Sequence, residues 1–372
     1  MAVKTESFDI AVVGGGAIGL ACGWRASQRG ARVVVVDPGM AGHPPAWSVA
    51  AGMLAPVSEA EFGERPLLEL GVESARRYAA FCAELDDPGY RTCGTMVVAR
   101  DRDEAEALDR LAAFRADLGL PVERLRPSQA RRLEPALAPT IRLALDIEGD
   151  HAIDPRMLVA ALARAFSGTL VTARVAGLVV AGERVTGVKL ENGSTLSADQ
   201  VVVAAGVDVA RLEMPDHARV PVRPVKGQVL RLRDPRGPGL TERTIRGEST
   251  YFVPRGDGRY VLGATMEERG WDTSPTAGGV YELLRDASEI VPGVLELDIE
   301  ELIAGLRPAT PDNLPAIGRG VLDGLIWATG HYRNGILLTP VTADLVAGAL
   351  AGEAAPEWAA PADPLRFAGV AA

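Results

Sequence analysis

The chain has 372 residues, of which 47% are hydrophobic and 24% charged, and its net charge is −10. This length suits two domains, and the acidic balance argues against nucleic acid or an anionic membrane surface as a partner. Three scattered cysteines (Cys22, Cys82 and Cys93), four histidines without paired spacing and no stretch approaching the roughly 18–20 apolar residues of a membrane span predict a cytoplasmic protein without disulfides or a metal site.

The first elements along the chain are predicted to be a strand, a helix and a second strand. Residues 8–13 are mostly apolar and predict a buried parallel strand, residues 17–29 have apolar positions at helical spacing, and residues 32–36 predict another buried strand. Together they form a βαβ unit.

The turn between the first strand and the helix contains Gly14-x-Gly16-x-x-Gly19. Gly14 permits a tight turn, Gly16 lets the backbone approach a pyrophosphate, and Gly19 lets helix and strand pack closely. The helix N-terminus offers free N–H groups to the phosphates, and Asp37, at the end of the second strand, can bind ribose hydroxyls. A purely structural glycine turn is the alternative, and the motif alone does not separate NAD from FAD. A distant C-terminal glycine-rich segment that completes such a site is typical of flavin enzymes.

The later elements alternate in type. Helices are predicted over residues 66–85, 103–118 and 155–166, with Asp154 as the N-cap of the third. Residues 95–99 and 200–206 predict strands, and residues 171–190 predict a small antiparallel meander. Further antiparallel strands are predicted over 227–232, 250–254 and 260–265, followed by a short apolar strand over 325–330 and an amphipathic helix over 340–351.

The predicted fold class is α/β with mixed α+β character. A discontinuous Rossmann-like FAD-binding domain is expected over residues 1–88, 150–220 and 306–372. An antiparallel-sheet substrate-binding domain, over residues 89–149 and 221–305, is interleaved with it.

Several segments together resemble one family. They are Ser48-Val-Ala-Ala-Gly-Met-Leu54, Pro224-Val-Lys-Gly-Gln228, Tyr251-Phe-Val-Pro-Arg255, Gly263-Ala-Thr-Met266, Gly305-Leu-Arg307-Pro and Gly330-His-Tyr-Arg-Asn-Gly-Ile-Leu-Leu-Thr-Pro340. By these segments the chain resembles the D-amino acid oxidase/sarcosine oxidase superfamily over nearly its whole length. Within that superfamily it looks most like the glycine oxidases of thiamine biosynthesis.

This resemblance implies a non-covalent FAD, since no cysteine follows Cys93 to form a covalent flavin link. Residues 331–337 would run along the flavin ring and offer backbone N–H groups to its N1/C2=O edge. The implied cofactor-binding residues are Gly14, Gly16, Ala17, Ile18, Gly19, Asp37, Pro38, Ser48, Ala51, Gly52, Met53, Val175, Gly206, Gly330, His331, Tyr332, Arg333, Asn334, Gly335, Ile336 and Leu337.

For the substrate, the resemblance implies that Arg307 binds a carboxylate as a bidentate pair. Tyr251 would add a hydrogen bond, and Arg333 and Met266 would line the pocket. Simpler interpretations remain open: Arg307 as a partner of Asp312, Arg333 as a surface residue, and Met266, like Met53, as a core residue. His331 as a general base is an alternative to its backbone role. Two departures from the family pattern are Ser249, where a histidine is usual, and a longer, proline-rich segment over residues 41–47.

The implied activity is oxidation of a small amino acid, such as glycine, sarcosine or a small D-amino acid, by hydride transfer to flavin N5. No dedicated catalytic acid or base is needed, because positioning supplies much of the rate. Oxygen would be the electron acceptor, and the products would be an oxo acid, ammonia and hydrogen peroxide. A dehydrogenase that uses another acceptor and a non-catalytic nucleotide-binding module are the competing hypotheses. The family often forms homotetramers, which implies a homo-oligomer.

Overall fold

The computed structural model describes residues 7–369, so the outer ends of the first and last predicted domain segments, residues 1–6 and 370–372, lie outside the described residues. The strands, in chain order, are β1 (Ser7–Val13), β2 (Val33–Asp37), β3 (Met53–Leu54), β4 (Tyr90–Arg91), β5 (Thr95–Ala99), β6 (Glu123–Leu125), β7 (Leu143–Ile147), β8 (His151–Ile153), β9 (Thr169–Thr172), β10 (Val175–Ala181), β11 (Arg184–Leu190), β12 (Thr195–Val203), β13 (Arg223–Arg233), β14 (Thr244–Arg246), β15 (Tyr251–Pro254), β16 (Arg259–Gly263), β17 (Asp298–Ala309), β18 (Ala316–Arg319) and β19 (Leu325–Thr329). The α-helices are α1 (Ala17–Gln28), α2 (Ala46–Val49), α3 (Arg65–Ala83), α4 (Arg102–Asp117), α5 (Pro127–Leu133), α6 (Pro155–Ala165), α7 (Ala277–Ile290) and α8 (Thr339–Leu350).

The first sheet is built on parallel strands. Its order is β10-β11-β12-β1-β2-β9, and β19 pairs with β12 and with β18. The pairs β1–β2, β1–β12, β2–β9 and β12–β19 are parallel. Helices such as α1, α6 and α8 pack on this sheet, and residues 33–36 of β2 are completely buried. A parallel strand that is covered on both faces has no alternation of polar and apolar residues, which is why its apolar run predicted it correctly.

The second sheet has the order β17-β13-β16-β15-β14-β5-β7-β6 and is antiparallel except for the β5–β14 pair. Its longest pairing joins β13 to β17, from Arg223–Ala309 to Arg233–Asp298. The antiparallel strands predicted over 227–232, 250–254 and 260–265 are confirmed as parts of β13, β15 and β16. A small third sheet, β3-β8-β4, lies apart from both larger sheets in the strand pairing.

Two predicted elements differ from the structure. The meander predicted over 171–190 divides, because residues 171–172 belong to the edge strand β9 beside β2 while 175–190 form the hairpin β10–β11. The last helix, α8, is buried on most of its surface rather than amphipathic, since it packs against α1, α3, β18 and β19. Asp154 caps α6 as predicted, its carboxylate accepting a hydrogen bond from the backbone N–H of Arg156.

The strands of the first sheet come from residues 7–37, 169–203 and 316–329, and those of the second from 95–147 and 223–309. This alternation agrees with a discontinuous fold, whereas the exact domain bounds stay a prediction. Among residues 7–369, no helix has both the length and the apolar character needed to cross a membrane.

Candidate active site

A long cleft runs from the carboxyl ends of the parallel strands in the first sheet to the face of the second sheet. It encloses about 1900 Å³ of empty space when counted out to its open mouth. The ends of β1, β2, β12 and β19 form one wall, and β13, β15 and β17 form the other. Ligands of open α/β sheets bind at the carboxyl ends of the parallel strands, so the cleft lies where a dinucleotide is expected.

The glycine turn at the first wall is shaped for an anionic ligand. Gly14 has a φ of +101°, and a Cβ atom there would lie 2.5 Å from the carbonyl oxygen of Ala204, so only glycine fits. A Cβ on Gly19 would overlap the carbonyl of Gly14. Helix α1 begins after Gly16 without a side-chain cap, and its first turn holds no acidic residue. Its N–H groups and positive helix end therefore remain available for a pyrophosphate.

Asp37 lies beside this turn. Its Oδ2 accepts a hydrogen bond of 2.6 Å from the backbone N–H of Gly15, and its Oδ1 accepts one of 2.7 Å from Gly39. A carboxylate has about four acceptor positions, so both oxygens keep capacity for ribose hydroxyls. The residues present thus fit the nucleotide end of FAD.

The second glycine-rich segment, residues 330–337, crosses the same cleft. Gly330 and Tyr332 have φ angles of +76° and +47°, which turn the chain sharply after β19. The backbone N–H of Tyr332 donates to Pro308 and that of Asn334 to His331. Within residues 7–369, the N–H groups of Arg333, Gly335 and Ile336 have no protein acceptor, although these residues line the cleft. They are available for the carbonyl edge of a flavin ring.

His331 is buried, and its Nε2 lies 2.9 Å from the hydroxyl oxygen of Thr342. Burial lowers the pKa of this imidazole to about 3, so it is neutral at physiological pH. A ring tied to a threonine in this way favours the interpretation in which the backbone of the segment serves the cofactor, rather than His331 acting as a base.

Arg307 lines the cleft, and backbone carbonyls hold one edge of its guanidinium. Its Nη1 donates to the carbonyl oxygens of Lys226 and Thr265, each at 3.2 Å, and its Nη2 donates to Thr265 at 3.2 Å. These bonds occupy both hydrogens of Nη1 and one of Nη2. The remaining Nη2 hydrogen and the Nε–H point to the same side and form a fork that matches a carboxylate. The alternative partner, Asp312, is instead paired with Arg366 at 2.8 Å.

The Tyr251 ring lies against Gly263 on the neighbouring strand, where a Cβ atom would come within 2.7 Å of the ring. Burial raises the pKa of Tyr251, the Arg307 guanidinium lowers it and the Glu59 carboxylate raises it. The hydroxyl is therefore a proton donor at neutral pH, and it lies within electrostatic range of both charges.

Arg333 lines the cleft but also faces acidic side chains. Its Nη2 is 3.7 Å from Oε2 of Glu64. Burial is the largest single influence on its pKa and lowers it, but Glu59, Glu61 and Glu64 together raise the pKa by more. A substrate carboxylate would compete with these glutamates for Arg333. Among residues 7–369, no carboxylate lies within ion-pair distance of the Arg307 guanidinium, which makes Arg307 the stronger candidate for the clamp.

Most of the predicted site residues meet in this cleft. Its lining includes Gly14, Gly16, Ala17, Ile18, Asp37, Pro38, Ala51, Gly52, Met53, Val175, Gly206, Tyr251, Arg307, His331, Tyr332, Arg333, Gly335 and Ile336. The remaining predicted residues, Gly19, Ser48, Met266, Gly330, Asn334 and Leu337, lie behind or beside it. All of these assignments as cofactor or substrate contacts stay predictions.

Two of those residues lie in informative places. Ser48 is 2% exposed and its hydroxyl donates to the carbonyl of Pro45 at 2.8 Å, so it stabilises the start of α2 rather than facing the cleft. Met266 is 63% exposed, and its Sδ accepts a hydrogen bond from the Tyr332 hydroxyl at 2.8 Å. It belongs to the rim of the cleft and is not a core residue.

Sequence reasoning missed several lining residues. Glu59 places a carboxylate in the cleft, and Trp47 lies over Gly16, where a Cβ would come within 3.2 Å of its ring. His43, from the proline-rich segment, contacts Asp208 at 3.3 Å near the nucleotide end. Glu59 and His43 come from loops and Trp47 from the four-residue helix α2, which is too short to show a periodic pattern, so no local signal marks them.

Ser249, the other departure from the family pattern, donates its hydroxyl to Asp286 at 2.6 Å and is absent from the cleft lining. It ties the segment before β15 to helix α7. The side chain therefore has a structural partner in this chain.

A cleft that accepts a dinucleotide along one wall and an anion at the other is characteristic of the flavin-dependent oxidoreductases, and this is the class that fold and site define. Comparison with known proteins makes the assignment specific. The family model for "FAD dependent oxidoreductase" (DAO) matches residues 9–349, and the chain belongs to this family. Its cofactor is FAD.

The curated relatives agree with this family. A glycine oxidase from Geobacillus kaustophilus (strain HTA426) is 35% identical over 352 residues, which cover 92% of this chain and 93% of the relative. A bifunctional ThiO/ThiG protein from Synechocystis is 34% identical over 91% of this chain and 51% of its own length. The crystal structure of the glycine oxidase from Geobacillus kaustophilus matches with a TM-score of 0.89 at 33% identity, covering 97% of this chain and 99% of the other.

Proposed function

We propose that this protein catalyses the oxidative deamination of glycine, and also accepts sarcosine and small D-amino acids. With glycine, one molecule each of oxygen and water is consumed, and glyoxylate, ammonia and hydrogen peroxide are formed. The observation that carries the proposal is that Arg307 lines the cleft that also fits FAD, with its Nη1–Nη2 edge bound to backbone carbonyls and its Nε without a protein acceptor among residues 7–369.

The charges in the cleft support an amino-acid substrate. The free Nε and Nη2 donors of Arg307 would bind the carboxylate as a bidentate pair, and the neutral hydroxyl of Tyr251 would donate to the same group. Glu59 lines the cleft too, and its side chain is about one-fifth exposed (21%). A zwitterion therefore meets a cation and an anion in one pocket.

The role of the protein in this reaction is mainly positioning. Bound FAD would accept a hydride from the substrate Cα and pass the two electrons to oxygen. Arg307 and Tyr251 would fix the carboxylate so that Cα faces the flavin, which removes most of the orientational entropy from the barrier. Burial lowers the pKa of His331 to about 3, which makes its imidazole a weak base, in agreement with a reaction that begins from the free amine.

Two further parts of the proposal concern the setting of the reaction. None of the described residues that line the cleft is a cysteine, which supports a non-covalent FAD. From the resemblance we also propose a cytoplasmic homo-oligomer, expected to be a tetramer, that serves thiazole formation in thiamine biosynthesis; sedimentation of the purified protein checks the oligomeric state.

The test is the absorption spectrum of the purified flavoprotein before and after anaerobic addition of glycine. We expect the flavin band to bleach and to return when air is admitted. Arg307→Ala should keep the flavin band but need far higher glycine concentrations, because a lost charged contact costs roughly 1.5–3 kcal/mol, or about 10- to 100-fold in KM.

Three results would change the proposal. Bleaching that only an artificial dye reverses would favour a dehydrogenase with another electron acceptor. A flavin that no small amino acid bleaches would favour a binding role without catalysis. An Arg307→Ala variant with an unchanged KM would remove this residue from the carboxylate clamp.

A further inference from the structure

Lys226 is a fully buried lysine that the proposed reaction does not use. It lies in β13, is 0% exposed, and donates from Nζ to Oδ2 of Asp272 at 2.8 Å and to the carbonyl of Ser274 at 2.7 Å. The Lys226 ammonium holds the pKa of Asp272 well below its usual range. Burying an ammonium group costs desolvation free energy. The position of Lys226 beneath a single loop therefore needs a structural or functional explanation.

The loop in question, residues 264–276, connects β16 to α7. Its first part pairs with β13, because the backbone N–H and carbonyl of Lys226 exchange hydrogen bonds of 2.9 and 3.0 Å with Glu267. Its last part is held by Gln228, whose Oε1 accepts from the backbone N–H of Thr276 at 2.7 Å. Lys226 fixes the middle through Asp272 and Ser274. The loop is thus fastened to β13 along its whole length.

This loop fixes the orientation of the Arg307 guanidinium. Thr265 is fixed because its hydroxyl oxygen accepts a 3.0 Å hydrogen bond from the backbone N–H of Gln228. Its carbonyl, together with the carbonyl of Lys226, occupies the Nη1–Nη2 edge of Arg307. The substrate is left with the Nε–Nη2 edge alone.

We propose that Lys226 is a positioning residue for the carboxylate clamp: by fastening the loop that carries Thr265, it fixes which edge of Arg307 meets the substrate. The inference rests on the proposed function of Arg307. It goes further in assigning a role to the buried lysine and in defining a side-on mode of carboxylate binding. A lysine that only stabilised the fold would affect unfolding without a selective effect on substrate binding.

The test compares Lys226→Met with the unmodified flavoprotein. Methionine keeps the apolar part of the side chain and removes the buried ammonium, and the carboxylate left behind, Asp272, is 40% exposed and can be solvated by water. We expect the KM for glycine to rise about tenfold to a hundredfold, since small errors of placement have effects of this size, while kcat and the thermal midpoint change little. Lys189→Met is the matched control. Lys189 lies on β11, its side chain is half exposed, and its Nζ is 3.8 Å from Oε2 of Glu213, so the KM of this variant should not change.

Asp272→Ala gives an independent test, since Asp272 is 40% exposed, Lys226 itself stays in place, and alanine, unlike asparagine, offers no oxygen to accept the hydrogen bond from Lys226 Nζ. It should also raise KM, and the double variant should raise it no further than Lys226→Met alone, because both changes break one contact. Acetate, which lacks the amino group, should bind more weakly to both variants by flavin difference spectroscopy. If the unmodified enzyme oxidises glycine and both variants have the same KM as the unmodified enzyme, the inference is overturned and the proposed function is left intact. An unmodified protein that neither binds acetate nor is reduced by glycine would overturn the proposed function itself.

Discussion

At the residue scale, two glycines shape the substrate wall of the cleft. The Arg307 guanidinium lies directly across Gly227, where a Cβ atom would come within 2.5 Å of Cζ and overlap the Nη2 nitrogen. The Tyr251 ring lies in the same way across Gly263. A glycine inside a strand marks a close approach of another group, so both positions keep the strands flat under the two side chains that would bind the carboxylate.

Gly227→Ala should therefore weaken substrate binding through its effect on Arg307. The new methyl group displaces the guanidinium from the carbonyls of Lys226 and Thr265, and the fork turns away from the cleft. We expect a rise of about tenfold or more in the KM for glycine, with FAD still bound. Steady-state kinetics with flavin quantification measures both quantities.

Gly278→Ala is the matched control for this change. Gly278 lies in helix α7, and among residues 7–369 no atom from outside its own turn of helix lies within 4 Å of the position of an added Cβ. Alanine is the better helix former by about 1 kcal/mol, so this variant should keep its KM and gain slightly in stability. If both alanine variants kept the original KM, the close approach at Gly227 would have no bearing on the clamp.

At the element scale, the turn that carries Glu59 is fastened from below by a buried polar cluster. Asp150 is completely buried and accepts hydrogen bonds from the backbone N–H groups of Val57 and Ser58 at 3.2 and 2.6 Å. The carbonyl of Ser58 accepts from Arg115 at 2.7 Å and from Arg246 at 2.6 Å. The turn is thus held on both sides of its backbone, which fixes the direction of the next residue, Glu59.

The buried carboxylate of Asp150 should make stability depend on pH. Burial raises its pKa from 3.8 to about 6, even though the two N–H donors oppose this. Between these values the folded chain holds a proton that the unfolded chain has released, so the free energy of unfolding falls as the pH rises from about 4 to 6. The total effect is about 3 kcal/mol at 1.36 kcal/mol per unit.

Asp150→Asn should remove this contribution to the slope. The measurement is the urea midpoint from pH 4 to pH 7, compared as a difference between each variant and the unmodified protein, because other carboxylates titrate in the same range. Asp86→Asn, at a side chain that is 92% exposed, is the control and should follow the unmodified protein. Identical slopes in all three proteins would show that Asp150 does not titrate in this window.

The elements that the sequence predicted well are those with strong local patterns. The strand β1, the glycine turn and helix α1 follow one another without a gap, so pattern and geometry coincide. The edge strand β9 was merged with the next hairpin because residues 169–172 are mostly exposed and alternate only weakly. Helix α8 was expected to have a polar face, but its small residues, such as Ala343 and Ala347, pack closely between other elements.

The residues of the candidate site also differ in how well the sequence predicts them. Gly14 is predicted by the glycine motif after β1, and Arg307 and Tyr251 are implied by the family resemblance of their segments; all three line the cleft. Glu59 was missed because it comes from an irregular turn whose place depends on a buried aspartate far along the chain. Such long-range fastening leaves no local trace, which is why loops contribute the unpredicted part of this cleft.

At the scale of the whole molecule, the cleft is where the two large sheets meet. Asp37 lines it from the first sheet and Ala17 from helix α1 packed on that sheet, and Tyr251 and Arg307 line it from the second. The segment 330–337 crosses between them, and its backbone hydrogen bond from Tyr332 to Pro308 connects the end of β19 to β17. An extended FAD in this cleft would touch both sheets and the segment that joins them.

FAD should accordingly stabilise the whole fold and not only the nucleotide end. For a ligand that binds only the folded state, a hundredfold excess over Kd adds about 2.7 kcal/mol, which corresponds to a rise of about 2–4 °C or more in the melting temperature of the apoprotein. The measurement is a thermal melt of the apoprotein with increasing FAD, beside one with ADP at the same multiple of its own Kd.

At matched saturation the two ligands contribute equally by mass action, so the feature that distinguishes them is the cooperativity of melting. With FAD, probes on the two sheets should report one transition, because the ligand bridges both. With ADP, which reaches only the first sheet, the second sheet should melt at its apoprotein temperature. A single transition with both ligands would mean that the sheets are coupled by their own contacts, and that the flavin end contributes chemistry but no cohesion.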